Sequence, residues 1–322
     1  MDEASTIMDV QPLPISMDES GEFAGVVTVT LEQAGRPVVV LDHDLLRRID
    51  ATLRPLASGT VVGGSHGGKS IRGLVLASAS RVFIAGADLK SISEWPDEEL
   101  HRYLEYGGEV FGLLAKMAFP TAAAIGGAAL GGGLEIAMHC DGLIGAPPGP
   151  GKDGGPGKPY PIGLPEAGLG LCPGWGGTNL LPARMEAGEA IRRTASGETM
   201  LFEQAVDAGL FDAVAPEAGL LLETAKRWVT TTGASLVAER RDGVPLRWIG
   251  RNTSAAGTLA ALDRVRSELG AGAPARAVAR AVDTGLSAGW AAACAVEREE
   301  LVRLRHTPEA KKALEAFFAR GK

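Results

Sequence analysis

Hydrophobic positions change period several times along the chain, and the changes predict alternating strands and helices. Gly25 to Leu31 (GVVTVTL) alternates and is β-branched, the mark of a strand. Pro37 to Leu41 (PVVVL) reads as a second short strand. From Asp42 to Leu56, the residues Leu45, Leu46, Ile49, Leu53 and Leu56 recur at helical spacing. Ile71 to Ala77 (IRGLVLA) reads as a buried strand, and Arg81 to Ala85 (RVFIA) begins another. Pro96 to Met117 is helical in pattern, Thr121 to Ile125 is a strand, and Gly131 to Cys140 opens a helix. Beyond Arg184, short helices are expected at Gly188–Arg193 and Leu201–Ala208, then a longer one over Pro216–Arg240. The remainder reads as helices over Ala255–Leu269, Pro274–Leu286, Gly289–Arg305 and Pro308–Arg320. Pro274 and Pro308 sit where a first helical turn tolerates proline. Residues 1–22 read as a loose arm or an edge strand. The alternation predicts an α/β fold followed by a helical region, and no internal repeat of solenoid length stands out.

Polar positions are most informative where they are scarce. Between Lys116 and Lys152 the only charged side chains are Glu135 and Asp141, with His139 beside them. Between Lys158 and Arg184 the only one is Glu166. A charged group in apolar surroundings is costly unless it is paired or takes up a proton. Thr121 to Arg184 is therefore the stretch around which the chain is organised, and Glu135 and Glu166 are the residues it holds.

Composition narrows the class. At 322 residues, 45% hydrophobic and 22% charged, the chain is long enough for one large domain or two modest ones. A net charge of -7 with no long basic run argues against nucleic acid as the main partner. A small anionic ligand stays open, because backbone N–H groups bind phosphate. Cys140, Cys172 and Cys294 are odd in number and far apart, so they read as reduced thiols rather than a disulfide framework or a zinc site. The histidines show no metal-ligand spacing, and no metal is expected. The acidic start (MDEASTIMDVQPLP) lacks the apolar core of a signal peptide. The least polar run, Phe119 to Ala146, is Gly-rich and holds two carboxylates, so it reads as core rather than a membrane span. A cytoplasmic protein is expected.

Four glycine-rich stretches carry candidate chemistry. Residues 63–70 match the phosphate-loop pattern GxxxxGK[ST], and 63–67 also match GxSxG. Both motifs need a helix immediately after them, whereas Ile71 to Ala77 reads as a strand, so a surface loop is the better reading of both. A nucleotide-hydrolysing protein is the rival of a different class that this loop keeps open. In Phe83 to Lys90 (FIAGADLK) a predicted strand runs into small residues that let a ligand approach the backbone. Asp88 serving as an ordinary helix cap explains the same pattern and is favoured locally. Gly131, Gly132 and Gly133 precede a helix, leaving N–H groups available to an oxyanion. Glu135 then falls in the first turn among apolar residues, where a merely solvated cap would have polar neighbours. Glu166 comes after Pro165 in a turn bracketed by Gly168, Gly170 and Pro173; a turn residue facing water is the plain alternative.

Three of these blocks in register, FIAGADLK, AAIGGAALGGGLEIAMHCD and PEAGLGLCPGWGGTNLLPAR, resemble the crotonase superfamily, enoyl-CoA hydratase in particular. The likeness covers roughly Gly25 to Pro216, and the C-terminal TPEAKKALEAFFARGK is similar to the end of the hydratase module of multifunctional β-oxidation enzymes. The resemblance implies a crotonase-like α/β spiral of ββα units with a helical C-terminal region. It divides the chain into an arm (1–22), a core (23–240) and a helical region (241–322), with a Gly/Pro-rich insertion at 147–161. It implies homotrimers, or hexamers of two trimers, and an acyl-CoA thioester as substrate, with no separate cofactor. The oxyanion hole falls on the backbone N–H groups of Ala87 and Gly132, and coenzyme A on Ala85, Gly86, Ala87, Asp88, Leu89 and Lys90. Glu135 and Glu166 become the acid–base pair of a hydratase acting on trans-2-enoyl-CoA. A Δ3,Δ2-enoyl-CoA isomerase, another crotonase-type reaction, or a non-catalytic subunit are the alternatives. Trp175 is larger than the family often has at its position, and the 147–161 insertion is expected to reshape the acyl pocket.

Overall fold

The computed structural model describes residues 10–36, 38–58, 70–151, 155, 157–237, 242–251 and 254–320. Among these residues nine strands are formed: β1 (Ile15–Met17), β2 (Val26–Leu31), β3 (Gly73–Ser78), β4 (Thr121–Ile125), β5 (Ala129–Leu130), β6 (Gly142–Gly145), β7 (Pro161–Gly163), β8 (Met200–Leu201) and β9 (Ala213–Val214). Six make the main sheet in the order β1-β2-β3-β4-β6-β9, and three make a small second sheet in the order β5-β7-β8. In the main sheet only β1 pairs antiparallel; every other neighbour is parallel.

The helices are α1 (His43–Ala57), α2 (Leu89–Glu94), α3 (Asp97–Lys116), α4 (Gly132–His139), α5 (Gly177–Leu180), α6 (Ala187–Ser196), α7 (Phe202–Asp207), α8 (Leu221–Thr230), α9 (Gly233–Leu236), α10 (Ala255–Val265), α11 (Ala273–Ala288), α12 (Trp290–Leu304) and α13 (Pro308–Arg320). A parallel sheet needs cover on both faces, and here each face has its own apolar set. Val27, Val29, Leu31, Leu74 and Leu76 belong to the large core that also takes Leu45, Leu46, Ile49, Leu53 and Leu56 of α1. Val26, Val75, Ala122 and Ile144 turn the other way, into a smaller core with Ala225, Trp228 and Val229 of α8. The period-two pattern of β2 thus sorts its residues between two cores rather than between core and water. Asp42 starts α1 by accepting the N–H of Leu45 at 2.8 Å.

Several expected elements take a different form. Of Pro37–Leu41 only Leu41 pairs, in a single parallel bridge to Ala87, and Pro37 lies outside the described residues. Arg81–Ala85 likewise shrinks to one bridge, Ile84 to Ala129, because the chain bends at Gly86 (φ +120°). The long helix expected over Pro216–Arg240 is broken into a 3-10 turn at Ala218–Leu220, then α8 and α9, while 238–241 lie outside the described residues. The phosphate-loop candidate 63–70 lies outside them apart from Ser70; the next element along the chain is strand β3, as expected, not a helix. The four C-terminal helices fall within a few residues of their expected bounds, and α12 packs against α3 and α5 of the core. Among the described residues no helix is long and apolar enough to cross a membrane.

Candidate active site

The site is assembled where residues 84–88 run beside the start of α4. Leu41 donates to the carbonyl of Gly86 at 2.9 Å and accepts from Asp88 at 2.9 Å, which clamps one side of that segment. On the other side Leu130 donates to Ile84 at 3.1 Å. This clamping uses the amides on either side of Ala87, and the N–H of Ala87 makes no hydrogen bond among the described residues. The N–H of Gly132 is likewise without an acceptor there, as expected at the first position of a helix. The two backbone donors assigned from the sequence therefore lie on adjoining segments, neither engaged in a hydrogen bond among the described residues.

The glycines before α4 are explained by what crowds them. A Cβ on Gly131 would lie 2.7 Å from Oε1 of Glu166, one on Gly132 2.4 Å from Cζ3 of Trp175, and one on Gly133 2.6 Å from Cβ of Ile84. Gly131 also has a φ of +52°, a region L side chains rarely adopt. The run thus lets a carboxylate, an indole and the 84–88 segment meet the same helix end.

Glu135 is buried, 1% exposed, and its Oε1 accepts the N–H groups of Trp175 and Gly177, both at 2.8 Å. Burial pushes its carboxyl up to about 7, against the pull of the Trp175, Gly177 and Gly174 amides. Glu166 begins a 3-10 turn, Glu166–Leu169, and its Oε2 is enclosed without a hydrogen-bond partner. Burial, then Glu135, then Glu297 push the Glu166 carboxyl well above the usual range. Glu135 is thus no solvated cap, and Glu166 is half-buried with its Oε2 turned away from water. Both carboxyls are pushed above the ordinary carboxylate range, Glu135 by burial and Glu166 by burial and by the nearby Glu135.

Not every residue of the 85–90 block has a ligand-ready position. Asp88 caps α2, accepting from Lys90 N at 3.1 Å and from Ser91 Oγ at 2.9 Å, so the helix-cap reading holds for its side chain. Ala85 and Lys90 are exposed, Gly86 is buried, and Ala87 and Leu89 are half-buried. Of the insertion, Gly149, Pro150, Gly151, Gly157, Lys158 and Tyr160 border a cleft of about 1050 Å³ at the ends of β3 and β4. Glu135, Glu166, Ala87, Gly132 and Trp175 are not among the residues that line it. The acyl-pocket role expected of the insertion therefore has no support from its described part.

One member of the site escaped sequence reasoning. Glu297, in α12, is fully buried, and burial followed by Glu135 pushes its carboxyl up to about 8. Its Oε1 accepts from the N–H of Thr178 at 2.9 Å and from the Thr178 hydroxyl, and its Oε2 accepts from the N–H of Gly176. The signal was present but faint: Glu297 falls on the apolar face of α12 with Ala293, Leu301 and Leu304, among three other acidic or basic neighbours that obscure it.

Residues 65–238 match the sequence pattern of the enoyl-CoA hydratase/isomerase family. Solved structures share the fold. An enoyl-CoA hydratase from Geobacillus kaustophilus aligns over 96% of this chain and 94% of its own, at 20% identity and a TM-score of 0.56. Human mitochondrial Δ3,Δ2-enoyl-CoA isomerase aligns over 96% and 98%, at 21% identity and a TM-score of 0.61. DspI of Pseudomonas aeruginosa aligns over 83% and 91%, at 25% identity and a TM-score of 0.53.

Proposed function

Because the chain belongs to the enoyl-CoA hydratase/isomerase family, with the crotonase fold, we propose that it adds water across the double bond of a trans-2-enoyl-CoA. The observation that carries this reading is a pair of carboxyls, Glu135 buried and Glu166 with its Oε2 enclosed, beside two backbone N–H groups that make no hydrogen bond among the described residues. The thioester carbonyl oxygen lies between the N–H groups of Ala87 and Gly132, which stabilise it as negative charge grows there. One such donor is worth about 2.7–4 kcal/mol in comparable sites. Glu135, ionised, takes a proton from water as the water oxygen bonds to the β-carbon. Glu166, protonated, delivers a proton to the α-carbon. The product is a 3-hydroxyacyl-CoA, and proton exchange between the two carboxyls and solvent restores the starting state. Coenzyme A runs along residues 85–90, with the exposed Lys90 available to a phosphate. A homotrimer, or a hexamer of two trimers, is the proposed assembly, checked by light scattering.

The test monitors loss of the enoyl-thioester ultraviolet absorbance with crotonyl-CoA and with a longer trans-2-enoyl-CoA. Wild type is expected to hydrate, and Glu135→Gln and Glu166→Gln each to fall by about 10²-fold or more. If activity depends on Glu166 alone and a 3-enoyl-CoA is converted to the 2-enoyl isomer, the reaction is isomerisation. Wild type that binds acyl-CoA and hydrates nothing overturns the proposal.

A further inference from the structure

Four consecutive amides in one loop are held by two buried carboxylates in alternation. Glu135 of α4 takes the N–H groups of Trp175 and Gly177; Glu297 of α12 takes those of Gly176 and Thr178, and the Thr178 hydroxyl as well. The segment is also anchored through the Trp175 ring, whose Nε1 donates to the Leu104 carbonyl. Gly174, Gly176 and Gly177 supply no side-chain anchor, and Gly176 sits at φ +99°. A Cβ on Gly176 would lie 2.3 Å from Cη2 of Trp290, so α12 also confines the loop sterically from the same side as Glu297.

A hydrophobic side chain at this position would pack with Ala293, Leu301 and Leu304 but would leave the N–H groups of Gly176 and Thr178 and the Thr178 hydroxyl without this acceptor. A fully buried acid so near Glu135 is costly, and what it secures is the direction of the loop amides. We infer that Glu297 is a positioning residue: by fixing the amides of Gly176 and Thr178 it aims those of Trp175 and Gly177 at the carboxylate of Glu135. The C-terminal helical region thereby takes part in organising the acid–base site.

The titratable groups around Glu135 are Glu297 and Cys294 from α12, Glu166 from the 166–169 turn, Cys172 from the segment after it, and His139 one turn along α4. Arg298 bears on Cys294 and is salt-bridged to Glu105 of α3. Among these, Glu297 is the one that accepts from the same backbone segment as Glu135.

The inference rests on the hydratase reading for its kinetic arm only. In Glu297→Gln an amide NH2 replaces one acceptor oxygen, so a donor meets a donor at Gly176 or Thr178. The expected result is a fall in kcat of about tenfold or more with KM within about threefold, and an acid limb of the pH–rate profile moved to higher pH, since Glu135 loses aimed donors. A limb moved to lower pH would mean that Glu297 acts on Glu135 only as a nearby negative charge, and would overturn the inference. In a cycle with Glu135→Gln the double variant is expected to be no slower than Glu135→Gln alone; additive losses overturn it. Glu300→Gln, on the same helix but bonded to Arg280 and Arg303, is expected to lower the melting temperature without moving the limb. Should Glu297→Gln not fold, Thr178→Val removes one donor of the grip and is expected to shift the limb in the same direction, less far. Amide hydrogen exchange needs no activity. Exchange at 175–178 is expected to quicken in Glu297→Gln, or in Thr178→Val, while exchange in β3 and β4 holds. Unchanged exchange at 175–178 overturns the inference, even if wild type proves to hydrate nothing.

Discussion

The indole of Trp175 rests on Gly132 so closely that a methyl group there would have no room, while the backbone N–H of Trp175 holds Glu135. One residue thus touches the proposed oxyanion donor with its ring and the proposed base with its amide. The ring is itself fixed: Nε1 donates to the Leu104 carbonyl at 2.9 Å, and Tyr103 and Phe111 pack on it at centroid separations of 5.6 and 5.2 Å. Rotation away from Gly132 would break that bond.

Gly132→Ala therefore cannot be absorbed by a small shift. The new Cβ displaces either the Trp175 ring or the start of α4, and the Gly132 N–H moves with the helix. We expect a loss of about 10²-fold or more in kcat with the circular dichroism spectrum unchanged, the scale seen when one oxyanion donor is lost. Gly132→Ala combined with Trp175→Leu is expected to recover part of the rate, because the smaller side chain vacates the contested space. Wild-type kcat in Gly132→Ala would remove the N–H of Gly132 from the mechanism.

The far end of α4 is held by a buried ion pair. Arg184 donates to the carbonyls of Met138 and Cys140 and pairs with Asp212 at 3.2 Å, with both side chains nearly inaccessible. Asp212 also accepts from the N–H of Leu143 at 2.8 Å and pairs with Arg247. Arg184→Met removes the guanidinium donor from the carbonyls of Met138 and Cys140 and a charge from beside Asp212. Breaking a buried pair in this way costs about 3–5 kcal/mol, to be read from urea denaturation. A loss under about 1 kcal/mol would show that Arg247 compensates alone.

The pH dependence of activity is set by the two proposed catalytic carboxyls. With Glu135 required as the anion and poised at about 7, kcat is expected to rise with pH through that value. With Glu166 required as the acid and held well above its usual range, the rate is expected to fall again at higher pH. Glu166→Gln should lower the plateau and abolish the alkaline fall. An alkaline limb that persists in Glu166→Gln would assign it to another group.

Much of this was legible in the sequence, for reasons that particular residues make plain. Glu135 and Glu166 stood out because each is isolated in an apolar stretch, and isolation of a charge is visible without coordinates. The glycine run 131–133 could be read as a site, although which partner crowds each glycine could not. Glu297 was hidden because Glu297, Arg298, Glu299 and Glu300 are consecutive charges, and only the helix phase tells that the first is buried while Glu299 is exposed. The small sheet β5-β7-β8 went unseen because strands of two or three residues have no period to detect. The break at 231–232 in the helix expected over Pro216–Arg240 went unseen too, since Val229 and Leu236 on either side of it are seven residues apart, about two helical turns.

Stability should carry the mark of these buried acids. Glu135 and Glu297 have ordinary values of 4.5 raised to about 7 and about 8, so the native state keeps protons that the unfolded chain releases. In that window raising the pH favours unfolding, by about 1.4 kcal/mol per pH unit for each proton retained. His139 works the other way. Burial lowers it from 6.5 to about 4, so between those values the unfolded chain binds the extra proton and stability rises with pH. Asp97 is lowered by Arg305 and His306, and its contribution is lost only as the pH falls below 3.8. Above 6.5 the opposing contribution of His139 is spent, while the raised carboxyls of Glu135, Glu166 and Glu297 all act in the one direction. The melting temperature is therefore expected to fall from pH 6.5 to pH 8, and to fall less steeply in Glu135→Gln, whose neutral amide has no proton to lose. A melting temperature that is flat or rising over this interval in wild type would mean that Glu135 and Glu297 are already ionised at neutral pH.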